Sequence, residues 1–139
     1  MKNLYYTIWA DAIVHEKTHF KDKRNWKFFT LIPISVFQGI NLATFFLGLF
    51  ALNVKMDIFI HFNFFNGNDL DAFLSSFVSL LLPFLILNWF LIFKDKKYIK
   101  IVERYSRNNN NENDKNGKYY LAYMLISAAI FIIPIILFL

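Results

Sequence analysis

The sequence predicts an all-α integral membrane protein: three transmembrane helices, an N-terminal amphipathic helix and a cytoplasmic extension of the second span. Three observations carry that expectation. Of the 139 residues, 57% are apolar and only 18% are charged, where a soluble domain carries about a quarter charged residues. The apolar residues gather in three uncharged runs, at 28–52, 72–93 and 119–139. The basic residues flank those runs unevenly, as membrane topology requires. An ordinary water-soluble globule and a disordered chain are both excluded. The length allows one membrane domain, residues 1–139.

The runs are 25, 22 and 21 residues long, and about 20 suffice to cross a bilayer core as a helix. A buried core helix would be shorter and would show a polar face. Six basic residues precede the first run: Lys2, Lys17, Lys21, Lys23, Arg24 and Lys27. Eight lie between the second and third, at Lys94, Lys96, Lys97, Lys100, Arg104, Arg107, Lys115 and Lys118. Only Lys55 lies between the first and second, beside Asp57, Asp69 and Asp71. The positive-inside rule therefore places segments 1–27 and 94–118 in the cytoplasm, and loop 53–71 and the C-terminus outside. A multi-pass protein of a cell's inner (cytoplasmic) membrane is expected. The net charge of +5 is then a topology signal, with anionic headgroups as counter-charge and no nucleic acid as partner. No cleaved signal peptide is expected, because the first run starts only at Phe28, is too long and lacks an Ala-x-Ala-like site.

In residues 3–19, Leu4, Tyr5, Ile8, Trp9, Ala12 and Ile13 recur at helical spacing, making one apolar stripe with Asp11, His15 and Lys17 largely off it. Tyr98, Ile101, Val102 and Tyr105 form a similar stripe after the second span. No turn signal intervenes, so the second helix is expected to run on to about Arg107. The N-terminal helix either docks on or near that extension or lies separately on the lipid surface.

In the first span Ser35, Gly39 and Ala43 follow at intervals of four, with Gln38 and Asn41 beside them. Small residues so spaced admit another helix closely. Ser75, Ser76 and Ser79 make a comparable patch in the second span, and Ser127, Ala128 and Ala129 in the third. Three thin helices leave surface over, so contact with other membrane subunits is expected here; the alternative is that the patches only join the protein's own helices. The outer stretch carrying Phe59, Phe62, Phe64 and Phe65 either folds onto the headgroup interface or is covered by a partner subunit. Pro83 and Pro134 lie deep enough in their runs to kink them. Residues 108–117, NNNNENDKNG, have nothing to bury and read as a flexible loop.

Chemistry is sparse. Without cysteine, disulfides, thiolate metal sites and Cys nucleophiles are excluded. No Asp, Glu, Lys, Arg or His lies within the spans, which argues against a proton pump, an ion-coupled carrier or a haem subunit. Four glycines, at 39, 48, 67 and 117, make no phosphate loop. One string, His15-Glu16-Lys17-Thr18-His19, resembles the H-E-x-x-H motif of zincin metalloproteases. That resemblance implies His15 and His19 as zinc ligands and Glu16 as general base. It covers five residues of 139. Zincins usually keep the residues between Glu and the second His uncharged, where this chain has Lys17. A third ligand is also needed; His61 is expected across the membrane, and Glu103 serves only if the two cytoplasmic helices dock. The expectation is therefore no metal, no cofactor and no catalytic residue, with the helix ending near His19 and its histidines hydrated. The leading function is a non-catalytic accessory subunit of a larger membrane complex. The alternatives are a small self-associating transporter or channel, lined by Gln38, Asn41 and the Ser75–Ser79 patch, and a membrane-bound zinc metallopeptidase.

Overall fold

The computed structural model describes residues 3–19, 25–52, 69–108 and 117–138, and among these the chain is helical, with no strand. Helix α1 is Leu4–His19 and α2 is Trp26–Ala51. Helix α3 occupies residues 69–93, α4 is Lys97–Asn108 and α5 is Lys118–Phe138. Two stretches are long and apolar enough to cross a membrane: α2, and the run Asp69–Arg107 that holds α3 and α4. In each, 17% of the most apolar stretch is buried within the protein. The core helix of a soluble domain would be mostly buried, and these two are not, which points to an apolar medium outside them. Helix suits such a medium because every backbone group is satisfied within the segment.

Helix α3 is irregular for a reason written in its sequence. Pro83 has no N–H to give to the turn before it. The preceding residues, Phe77–Leu81, widen into a turn in which the Leu82 N–H reaches back five residues to the Phe77 carbonyl. A second wide turn, Trp89–Phe93, ends the helix with the Lys94 N–H on the Trp89 carbonyl. The first wide turn lies against α2 at Gly39, where a Cβ would stand 3.0 Å from the Leu80 carbonyl oxygen. Glycine there sets how closely α2 and α3 approach.

The helix does not run straight on to Arg107. Asp95 and Lys96 both take left-handed backbone angles, φ 57° and 55°, and the chain turns between α3 and α4. Such angles cost about 1–3 kcal/mol each in non-glycine residues. Asp tolerates them better than most, Lys does not, and a lone Asp in a basic run is a faint turn signal. The compensation is tertiary. By leaving the axis of α3, α4 packs on α1 and brings Tyr98, Ile101 and Val102 against a core of Trp9, Ala12, Ile13, Trp26, Leu31, Ile34, Ile92, Phe93 and Tyr120.

That core sits where α2 begins, α3 ends and α5 begins, with α1 wedged among α2, α4 and α5. A single apolar stripe does not describe α1. Trp9, Ala10, Asp11, Ala12 and Ile13 are buried in succession, which covers every side of the helix. Trp9 meets Phe93 edge-on at 5.8 Å, and Trp26 meets Tyr98 the same way at 5.2 Å. Of the two arrangements open from sequence, α1 takes the docked one.

Candidate functional site

Three polar clusters join the helices, and each begins with a side chain that the helix around it cannot satisfy. Gly117 stands at the position before α5 where a capping side chain usually sits, its carbonyl accepting the Leu121 N–H at 2.8 Å. Glycine has nothing with which to cap the free N–H groups of the first turn. Asp11 supplies the cap from α1 instead. Its Oδ2 accepts the Tyr119 and Tyr120 N–H groups at 2.8 and 3.0 Å, and its Oδ1 accepts the Tyr105 hydroxyl at 2.8 Å. Asp11 is fully buried, so one carboxylate clasps α1, α4 and the positive end of α5.

The second cluster centres on Asn88, also fully buried. Its Nδ2 donates to Ser35 Oγ at 2.9 Å and to Gln38 Oε1 at 2.6 Å, and its Oδ1 accepts the Tyr5 hydroxyl at 2.8 Å. In the third, Asn41 Nδ2 donates to Ser127 Oγ at 3.0 Å and lies 3.4 Å from the Tyr123 hydroxyl. The α2 ridge expected to meet other subunits is therefore turned inward: Ser35 and Gln38 serve α3, Gly39 meets Leu80, and Asn41 serves α5. Ala43 is half-buried. In α3, Ser75 is buried and its hydroxyl donates to the Asp71 carbonyl at 2.6 Å, while Ser79 is half-buried and Ser76 exposed. Phe59, Phe62, Phe64 and Phe65 lie outside the described residues.

Of the zincin-like string, His15 and Glu16 lie in packed structure, where hydrated histidines were expected, while Lys17 and Thr18 are exposed. The His15 side chain is only 21% exposed and that of Glu16 10%. The His15 ring lies 6.0 Å from that of Tyr120 and against Gly117, and its Nδ1 is 3.7 Å from Glu16 Oε1. Lys17 folds its ammonium over the rings of Trp26 and Tyr98, at 4.5 and 5.1 Å. Burial, with Lys27 nearby, lowers its pKa from the usual lysine value. The side chain of His19 lies outside the described ones. Glu103 is exposed, lining an outer groove with Lys100, Arg104 and Arg107. Among the described residues, no three His, Asp or Glu side chains converge as a metal would need.

Gly117 has φ +72°, and a Cβ there would stand 2.5 Å from His15 Cδ2. Gly117→Ala is expected to destabilise the protein by about 2–4 kcal/mol, from left-handed strain plus the collision. Adding His15→Ala should recover the collision part alone. Detergent-denaturation midpoints of the single and double variants check this; equal midpoints would deny the contact.

Comparison of the chain with protein-family models, curated proteins and solved structures finds no match in any of the three. Asn88 and Tyr123 are cluster residues that sequence patterns missed, and Asp11 stands out in the sequence only as lying off the apolar stripe. For Asn88 a signal existed: it is an amide set in an otherwise apolar run.

Proposed function

We propose that the protein is a non-catalytic accessory subunit of a larger membrane complex. It crosses the membrane three times, through α2, α3 and α5, with its N-terminus cytoplasmic and its C-terminus outside. The observation that carries this reading is how its polar groups are spent. Ser35, Gln38, Asn41, Asn88 and Ser127 bond to one another across the protein's own helices. The outer surface is left to large apolar side chains, among them Phe45, Phe50 and Phe73, which are 60%, 71% and 64% exposed. A surface of that kind meets lipid or the apolar side of another subunit. The rival reading as a self-associating channel is weakened by the same bonds, because Gln38 and Asn41 are drawn away from any pore between copies.

Purification in mild detergent, followed by native mass spectrometry, tests the proposal. A fixed-stoichiometry assembly with a second membrane protein, cross-linked through photoreactive residues at Phe45 or Phe73, is the expected result. A lone monomer overturns it, and a homo-oligomer promotes the channel.

Orientation is tested separately. The chain has no cysteine, so single substitutions can be scanned with an impermeant thiol reagent. Gly67→Cys should label from outside and Asn110→Cys only after the membrane is opened. The reverse pattern inverts the topology.

A further inference from the structure

We propose that the outward face of α4, built on Lys100, Arg104 and Arg107, is a binding site for the phosphate headgroups of anionic phospholipids in the cytoplasmic leaflet. This rests on the membrane reading above and not on the subunit role.

The side of α4 that carries Tyr98, Ile101, Val102 and Tyr105 is taken up by the core and by the bond from Tyr105 to Asp11. That bond fixes the helix about its own axis. Lys100, Arg104 and Arg107, at intervals of four and three, then fall together on the exposed side. With Glu103 they line an open groove of about 300 Å³. Guanidinium groups suit phosphate because their planar N–H forks pair with two of its oxygens at once. Glu103 adds an acceptor in the same groove, which fits a headgroup bearing hydroxyls beside its phosphate.

The start of α4 is tied to the end of the preceding helix, which sets the depth of the groove. Lys97 Nζ lies 3.4 Å from the Phe90 carbonyl, and the Lys94 ammonium lies 4.9 Å from the Phe90 ring. Both ammonium groups reach back along the apolar helix while their charge stays at its end. Helix α4 therefore leaves the end of α3 at headgroup level. Residues 94–107 carry six basic side chains and two acidic ones, Asp95 and Glu103, a balance of +4. Anionic lipid is the counter-charge nearest to that position.

Native mass spectrometry of the full chain in neutral detergent, titrated with phosphatidylglycerol or phosphatidylcholine, tests the site. The native protein should bind phosphatidylglycerol roughly tenfold or more tightly than phosphatidylcholine. The variant K100Q/R104Q/R107Q should lose that preference with its helical circular dichroism unchanged, because all three side chains are exposed. K21Q/K23Q/R24Q, which removes as much charge ahead of α2, should keep it. Equal loss in both variants would reduce the effect to net charge and overturn the site, as would full retention in the first. Displacement of the lipid by millimolar inorganic phosphate would reassign the groove to a soluble anion and overturn the lipid assignment.

Discussion

Asp11→Ala is expected to destabilise the protein by about 3–4 kcal/mol, the sum of a lost helix cap and a lost charge-assisted hydrogen bond. Two N–H groups at the start of α5 and the Tyr105 hydroxyl would lose one shared acceptor. The site is fully buried, so solvent does not readily replace it. Asp11→Asn separates hydrogen bonding from charge. Its amide oxygen can accept both N–H groups of α5, while its NH2 donates to a Tyr105 hydroxyl that has reversed its role. Only the attraction of a full negative charge to the helix N-terminus is then lost, about 1 kcal/mol or less. Unfolding in mixed micelles, followed by the fluorescence of the buried Trp9 and Trp26, should rank native, Asn and Ala in that order. If Ala unfolds with the native protein, Asp11 is not the clasp. If Asn falls as far as Ala, the charge itself holds the three helices.

The sequence was most legible where composition alone decides. Uncharged runs of more than 20 residues are long enough to cross a bilayer core as helices, and the helices α2 and α3 fall where two of those runs lie. Periodicity also found the packed side of α4, because Tyr98, Ile101, Val102 and Tyr105 sit at helical spacing, but for α1 it gave one stripe where burial runs round the helix. It failed where a neighbour decides. Asp11 lies off the apolar stripe, so a rule about one face leaves it hydrated. In the fold it is enclosed because Gly117, more than a hundred residues away in the chain, brings no cap of its own. The turn at Asp95 and Lys96 is all but hidden for the same reason: left-handed geometry at those residues is worthwhile only once α1 offers α4 a surface. Beside Lys17 in sequence, His15 has the look of a solvated side chain; in the fold Gly117 and Tyr120 lie against its ring. The small-residue ridge of α2 was found by spacing, but spacing cannot say whose helix fills it. Leu80 on α3 meets Gly39 there.

Asn88→Leu is the other substitution of large expected effect. Leucine is close in volume and suits an apolar helix, so the packing change is small and the hydrogen bonds dominate. Ser35, Gln38 and Tyr5 each lose their bond to Asn88. Interhelical bonds in membranes contribute about 0.6 kcal/mol on average and up to about 1.7, so three together give a loss of about 2–3 kcal/mol. Much of that loss is the burden of polar groups left in an apolar setting. Adding Gln38→Leu should therefore recover part of it, although the double variant has fewer polar contacts than either single one. Tyr5 ties the start of α1 to this cluster, and Trp9 lies one turn further on, with ring centroids 6.4 Å apart. A loosened α1 should shift Trp9 emission to the red in Asn88→Leu, and less in the double variant. A double variant that is less stable than Asn88→Leu would assign the cost to lost packing of Gln38. A single variant as stable as the native protein would show that the helices are held by shape alone.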